Sequence, residues 1–209
     1  MIVTELRPVD KKRTQVQVEG QSAVVLYNGE LARYHIREGE ELPLPIWEEI
    51  TKELLVKRSR KRALHLLMKS DKTRNQLLQK LQSDGYPFQI AEQAVAYAES
   101  YGYIDDARYT RRYLEGPGAK KSRTAARLDL LRKGISPELI DKILQETLTD
   151  PQETERVKAS QLAEKRLGPP HRLDEKEYRR AYNYLARRGF SHSDICFALS
   201  KYKNPDDEH

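Results

Sequence analysis

Three glycines, Gly85, Gly134 and Gly189, occupy the same place in a recurring apolar pattern, and no other feature limits the fold as much. Four residues before them stand Leu81, Leu130 and Leu185; eight before stand Leu77, Ala126 and Ala181. One residue after come Tyr86, Ile135 and Phe190, and six after come Ala91, Ile140 and Ile195. Nine and ten after come Ala94-Val95, Ile143-Leu144 and Ala198-Leu199. Spacings of four and eight before the glycine, then three and four after it, are those of one helical face. The pattern is helix, glycine, helix, three times over.

Each copy has a simple physical reading. Glycine takes the left-handed backbone that closes a helix at little cost, and the apolar residue after it folds back on the helix just ended. A polar start such as Ser136-Pro137 or Ser191 then opens the next helix. Earlier helices are predicted at 57–69, 105–115 and 151–167, so each unit has three helices over about fifty residues. A unit this small buries little and is marginal alone. Three in tandem predict a mainly α chain built as an elongated, curved array.

Residues 1–45 have another texture. "TQVQV" alternates, "AVVLY" is β-prone, and "VDKKR" and "VEGQ" supply turns, so a small antiparallel sheet of three or four strands is expected. Asn28-Gly29 lies between "AVVLY" and "ELARYHI" and reads as a type I′ hairpin turn. From Pro45 the chain turns helical, with Ile46, Ile50 and Leu54 as its first apolar stripe. The expected organisation is a β segment over 1–45 and a linker helix with the first repeat over 46–103. The second repeat covers 104–149, the third 150–203, and an acidic tail 204–209.

The joint "GYIDDARYTRRYL" decides between chemistry and binding. Gly102 ends one helix, Asp105 caps the next, and Asp106 complements its dipole. No second carboxylate pair and no nearby histidines supply a metal or acid–base site, so no cofactor is expected. Arg108, Arg111 and Arg112 then share one helix face, where like charges three and four apart repel. Lys120, Arg123 and Arg127 repeat the pattern, followed by Arg132 and Lys133, with Lys121 among them. Two such stripes in succession point to an anionic partner, which arginine grips through forked contacts.

The charge is concentrated. The whole chain carries +6, but residues 57–74, which include Arg58 and Arg62, hold eight basic groups and one acidic. Arg187 and Arg188 precede the third glycine and join the candidate contacts. Tyrosine outnumbers phenylalanine twelve to three; Tyr101, Tyr103 and Tyr113 are the candidates for stacking on unpaired bases. The single cysteine, Cys196, sits in an apolar helical pattern and reads as a packed thiol in a reducing compartment. No apolar run is long enough to span a membrane and no signal core opens the chain, so a cytoplasmic protein is expected.

These residues resemble a known family. "GYIDDARYTRRYL" is similar to the Gly-apolar-apolar-Asp-Asp-x-x-Tyr/Phe signature of the RecX family, bacterial regulators of the RecA recombinase. The three helix-Gly-helix copies match that family's tandem three-helix repeats, and the resemblance covers residues 58–202. It implies a binding protein and not an enzyme, with RecA and the RecA–single-stranded DNA filament as partners and, in some members, DNA itself. Family members lie in the filament groove and restrain ATP hydrolysis, strand exchange and the co-protease activity of the SOS response in DNA repair. No catalytic residue carries over; the helix after the Asp-Asp cap implicates Arg108, Arg111 and Arg112 as contacts.

Two other readings compete. A helix-turn-helix transcription regulator would read DNA with the helix after each glycine. Those helices, "PFQIAEQAVAYAES", "SPELIDKILQETL" and "SHSDICFALSKY", are acidic or neutral, whereas a helix entering a major groove should be basic. An enzyme would need a nucleophile, a phosphate loop or ligand histidines at suitable spacing. The five histidines are scattered, and "GPGAKKSR" lacks the spacing of a phosphate-binding loop.

Overall fold

A computed structural model describes residues 1–146 and 151–202; the expected acidic tail and the expected 149/150 boundary lie outside them. The chain forms two compact units, Met1–Asp105 and a second from Asp106 onward. Mainly helical, it opens with a three-stranded antiparallel sheet of order β1-β2-β3. Strand β1 is Val3–Pro8, β2 Arg13–Val18 and β3 Val24–Tyr27. Alternation works as read: Val16, Val18, Val24 and Leu26 are buried on one face.

The expected Asn-Gly hairpin is absent. Asn28–Arg33 is a short helix, α1, and neither Asn28 nor Gly29 has the positive φ that a type I′ turn requires. The cause is tertiary. Asn28 N–H donates to the Lys12 carbonyl at 2.9 Å, and its side chain accepts from Thr14 Oγ1 at 3.0 Å, so it is held on the β1–β2 turn. Glu30 then takes the Tyr27 N–H at 2.7 Å, and Glu-Leu-Ala-Arg follow as good helix formers.

After α1 comes a helix continuous from 44 to 69, made of α2 (Leu44–Glu48), a π-helical stretch (Glu49–Leu54) and α3 (Leu55–Lys69). The expected stripe of Ile46, Ile50 and Leu54 shifts to Trp47, Ile50 and Leu55, which are buried. Ile50 and Leu55 are five apart, and a π turn is what brings positions i and i+5 to one side. The sheet's valines, Ile36, Leu42, Trp47, Ile50, Leu55, Val56 and Ile90 form one core, so the sheet packs on this helix.

The repeats follow. The first is α3, α4 (Arg74–Ser83) and α5 (Phe88–Ser100). The second is α6 (Asp106–Glu115), α7 (Arg123–Arg132) and α8 (Pro137–Glu146), with a 3₁₀ turn at Pro117–Lys120. The third is α9 (Pro151–Leu167), α10 (Glu175–Ala186) and α11 (His192–Ser200). The repeated apolar positions are the cores: Leu81, Leu130 and Leu185 have no exposed surface, and Ala91, Ile140 and Ile195 have at most 1%. Tyr86, only partly covered, is the weakest match.

Gly85, Gly134 and Gly189 have φ of +96°, +78° and +83°. After each, the next N–H reaches back five residues: Tyr86 to Leu81 at 3.2 Å, Ile135 to Leu130 at 3.2 Å and Phe190 to Leu185 at 3.4 Å. This is one helix-closing turn used three times. Starts are capped as read, Ser136 accepting from Leu139 N–H at 3.3 Å and Ser191 from Asp194 N–H at 3.1 Å.

Two of these turns are also packing surfaces. A Cβ on Gly85 would lie 2.4 Å from Val25 Cγ2, so the first turn seats against β3. A Cβ on Gly189 would lie 2.7 Å from Ala125 Cβ and 2.8 Å from Ser122 Oγ, so the third turn seats on the start of α7. There Ser122 N–H donates to the Arg188 carbonyl at 3.0 Å. Glu155 of α9 takes the Arg123 N–H on both oxygens, at 3.1 and 3.0 Å. The third repeat thus satisfies orphan donors at the α7 N-terminus, which ties repeats two and three together.

Candidate functional site

The basic residues divide by what they touch. Arg58 is held inside the first unit: its guanidinium contacts Glu30 at 3.0 and 2.7 Å, bonds the Val25 carbonyl, and lies over the Tyr27 and Tyr86 rings. Arg62 Nε donates to Asp84 at 2.7 Å. Both pin α3 to its neighbours, so residues read as part of a cationic patch act in the fold.

The second unit shows the same division. Arg127 makes a forked contact with Asp141 at 2.7 and 2.8 Å and joins α7 to α8. The contact raises the Arg127 pKa and lowers that of Asp141. Lys121 pairs with Asp129, which also accepts from Tyr113 Oη at 2.6 Å and lies 3.6 Å from Arg132. Lys133 sits over the Tyr109 and Tyr113 rings, and Arg188 over Tyr184 at 3.7 Å. Tyr113 is buried, so it offers no ring for a base; Tyr101 and Tyr103 are exposed.

Of the candidate basic positions, those exposed are Arg108, Arg111 and Arg112 on α6, Lys120 on the 3₁₀ turn, Arg132 at the end of α7 and Arg187 before the third glycine. Thr110 and Tyr113 form the covered side of α6, so the helical-face reading of its arginines agrees with the observed burial. Arg111 pairs at 3.2 Å with Glu146, itself exposed, and such a pair is worth at most about 1 kcal/mol. Exchanging Glu146 for a partner's carboxylate or phosphate therefore costs little.

Arg111, Lys121 and Arg123 also line a cleft of about 340 Å³, which Lys158 of α9 completes. Leu114, Gly118, Ala126 and Leu144 supply its apolar lining, with Glu115 and Glu146 beside the cations. Lys158 was not legible as a candidate, because "ETERVKAS" shows no basic stripe and only the fold carries it to α7. No cluster of three or more His, Cys, Asp or Glu able to hold a metal occurs among the described residues. Among them, too, no helix is long and apolar enough to cross a membrane. Cys196 is half-buried and its sulfur lies 3.5 Å from His192 Nε2.

Asp129 offers a pH test of this network. The Lys121 hydrogen bond, then that from Tyr113, holds its carboxyl below the usual range, so the fold favours the ionised form. A lowered folded pKa gives stability that is complete above the unfolded value, about 3.9, and is lost as pH falls through the folded one. Asp129→Asn is expected to cost about 1–3 kcal/mol at neutral pH. The difference from the parent should shrink towards nothing near pH 2, read from urea midpoints at both pH values.

Residues 60–97 match the first three-helix domain of RecX, and residues 153–199 the third. The chain is 39% identical over 132 residues to "Regulatory protein RecX" of Trichlorobacter lovleyi, covering 61% of this chain and 84% of the relative. It is 27% identical over 201 residues to the protein of that name from Clostridium tetani, covering 94% and 91%. Two solved structures share the fold at 20% identity. "Crystal structure of regulatory protein RecX" has a TM-score of 0.59 over 97% of this chain and 98% of that one. RecX from Lactobacillus salivarius has a TM-score of 0.56 over 71% and 96%.

Proposed function

This chain belongs to the RecX family of regulatory proteins, and from that premise we propose that it binds RecA and the RecA–single-stranded DNA filament. There it restrains ATP hydrolysis, strand exchange and co-protease activity, acting in the cytoplasm as a binding protein and not as an enzyme. The supporting observation is the exposed arginine face of α6, which sits directly after the joint signature of the family. Such a face suits the phosphates and carboxylates of a nucleoprotein surface. Contacts are assigned to Arg108, Arg111, Arg112, Lys120, Arg132 and Arg187. Arg58, Arg62, Lys121, Arg127 and Arg188 have internal roles and contribute indirectly. A transcription regulator is disfavoured, because α5, α8 and α11 put apolar residues into the cores and carry more acidic than basic groups.

Sedimentation tests the reading. RecA filaments assembled on single-stranded DNA should carry the chain into the pellet in saturable amount. A chain left in the supernatant at filament excess would remove the proposal.

A further inference from the structure

A second surface lies on the first unit, Met1–Asp105. Tyr97 and Tyr101 stand one turn apart on α5 and its end, with ring centroids 4.8 Å apart. Beyond them Gly102 takes φ +70°, and Tyr103 N–H bonds back to the Ala98 carbonyl at 2.9 Å. That turn brings the third ring to 6.3 Å from Tyr101, tilted by only 22°. At the other end the Arg60 guanidinium lies over the Tyr97 ring at 4.8 Å. The result is a ladder of one cation and three rings. Two of its rings are open to solvent, Tyr101 being 64% and Tyr103 54% exposed.

The charge around the ladder selects its occupant. At 100° per residue, Lys57, Lys61 and Met68 fall on the side of α3 opposite the buried Ser59, Ala63 and Leu66, and Arg60 flanks that side where it meets Tyr97. Glu92 and Glu99 of α5 are both drawn to Arg74, so these carboxylates are not aimed at an incoming anion. Two exposed, nearly parallel rings, with Tyr97 tilted by 49° behind them, beside a basic helix face suit a single nucleic-acid strand: the rings take bases and the lysines take the backbone. An acidic protein groove would use the lysines and leave the rings idle.

We propose that the Arg60–Tyr97–Tyr101–Tyr103 ladder is a stacking platform for unpaired bases of a single nucleic-acid strand, bound by this chain without any other protein. The inference goes beyond the RecA reading and is tested apart from it, in RecA-free solution.

The probe is a labelled short oligothymidylate followed by anisotropy at low salt, beside an abasic deoxyribose-phosphate strand of equal length. Each lost ring is expected to weaken binding roughly five- to a hundredfold, so Tyr101→Ala/Tyr103→Ala should lose at least about 25-fold. Tyr101→Phe/Tyr103→Phe keeps the ring faces and should stay near the parent. The abasic strand should bind the parent about as weakly as oligothymidylate binds the double alanine variant. Both side chains are exposed, so a circular dichroism melt should show the alanine variant folded. Equal binding of oligothymidylate by that variant and the parent, or of abasic and base-bearing strands by the parent, would overturn the proposal. RecA is absent from this assay, so failure here leaves the RecA reading, tested by filament sedimentation, standing.

Discussion

Replacing Arg108, Arg111 and Arg112 together with glutamate is expected to weaken suppression of RecA ATPase by on the order of a hundredfold in the concentration required. Three charge-assisted contacts at about 1 kcal/mol net each correspond to that factor. The loss should not come from unfolding. All three side chains are exposed, the covered side of α6 is Thr110 and Tyr113, and the Arg111–Glu146 pair is a weak surface contact. Salt supplies an internal check. If the arginines displace counterions from an anionic partner, the parent's inhibition should fall steeply with ionic strength and the variant's residual inhibition more gently. A triple variant that suppresses RecA like the parent would reduce this face to solvated surface.

Gly189→Val is expected to be the most damaging single change to the fold, at about 2–5 kcal/mol. A left-handed backbone costs a residue with a Cβ about 1–2 kcal/mol. Here the new carbon would also meet Ala125 Cβ at 2.7 Å and Ser122 Oγ at 2.8 Å, and overpacking of this kind costs about 1–3 kcal/mol more. Gly102→Val is the matched control: it shares the left-handed φ, at +70°, but nothing lies within 4 Å of its Cβ. Urea unfolding should rank Gly189→Val well below Gly102→Val. Hydrogen exchange should quicken at the Ser122 and Arg123 amides, whose acceptors come from the third repeat. Equal costs for the two variants would mean that the turn at Gly189 does not hold repeats two and three together.

Much of the fold was readable because its determinants are local. Closing a helix at Gly85, Gly134 or Gly189 needs only a glycine, an apolar residue after it and leucine or alanine one and two turns before. All of these lie within a stretch of ten residues. What escaped reading depended on distant partners. Asn28-Gly29 carries a hairpin signature, yet Asn28 is held by Lys12 and Thr14, and the chain after it becomes helix. The phase shift from Leu54 to Leu55 follows from the π turn, which no period of 3.6 anticipates.

The candidate site shows the same boundary between local and distant causes. That α6 presents three arginines on one face follows from spacing alone. That Arg58 serves Glu30 and Arg127 serves Asp141 does not, because those partners are 28 and 14 residues away and basic stripes look alike whether or not an acid faces them. Tyr113 was grouped with Tyr101 and Tyr103 by residue type. Burial separates them, since its hydroxyl reaches Asp129 while the other two rings face water. Lys158 joins the cleft only through the packing of α9.

The most direct measurement is ATP hydrolysis by RecA on single-stranded DNA, titrated with this chain before and after the filament is assembled. A filament-binding regulator should lower turnover in both orders of addition, reaching a plateau at a fixed ratio to RecA. Turnover that stays unchanged at molar excess in both orders would contradict it.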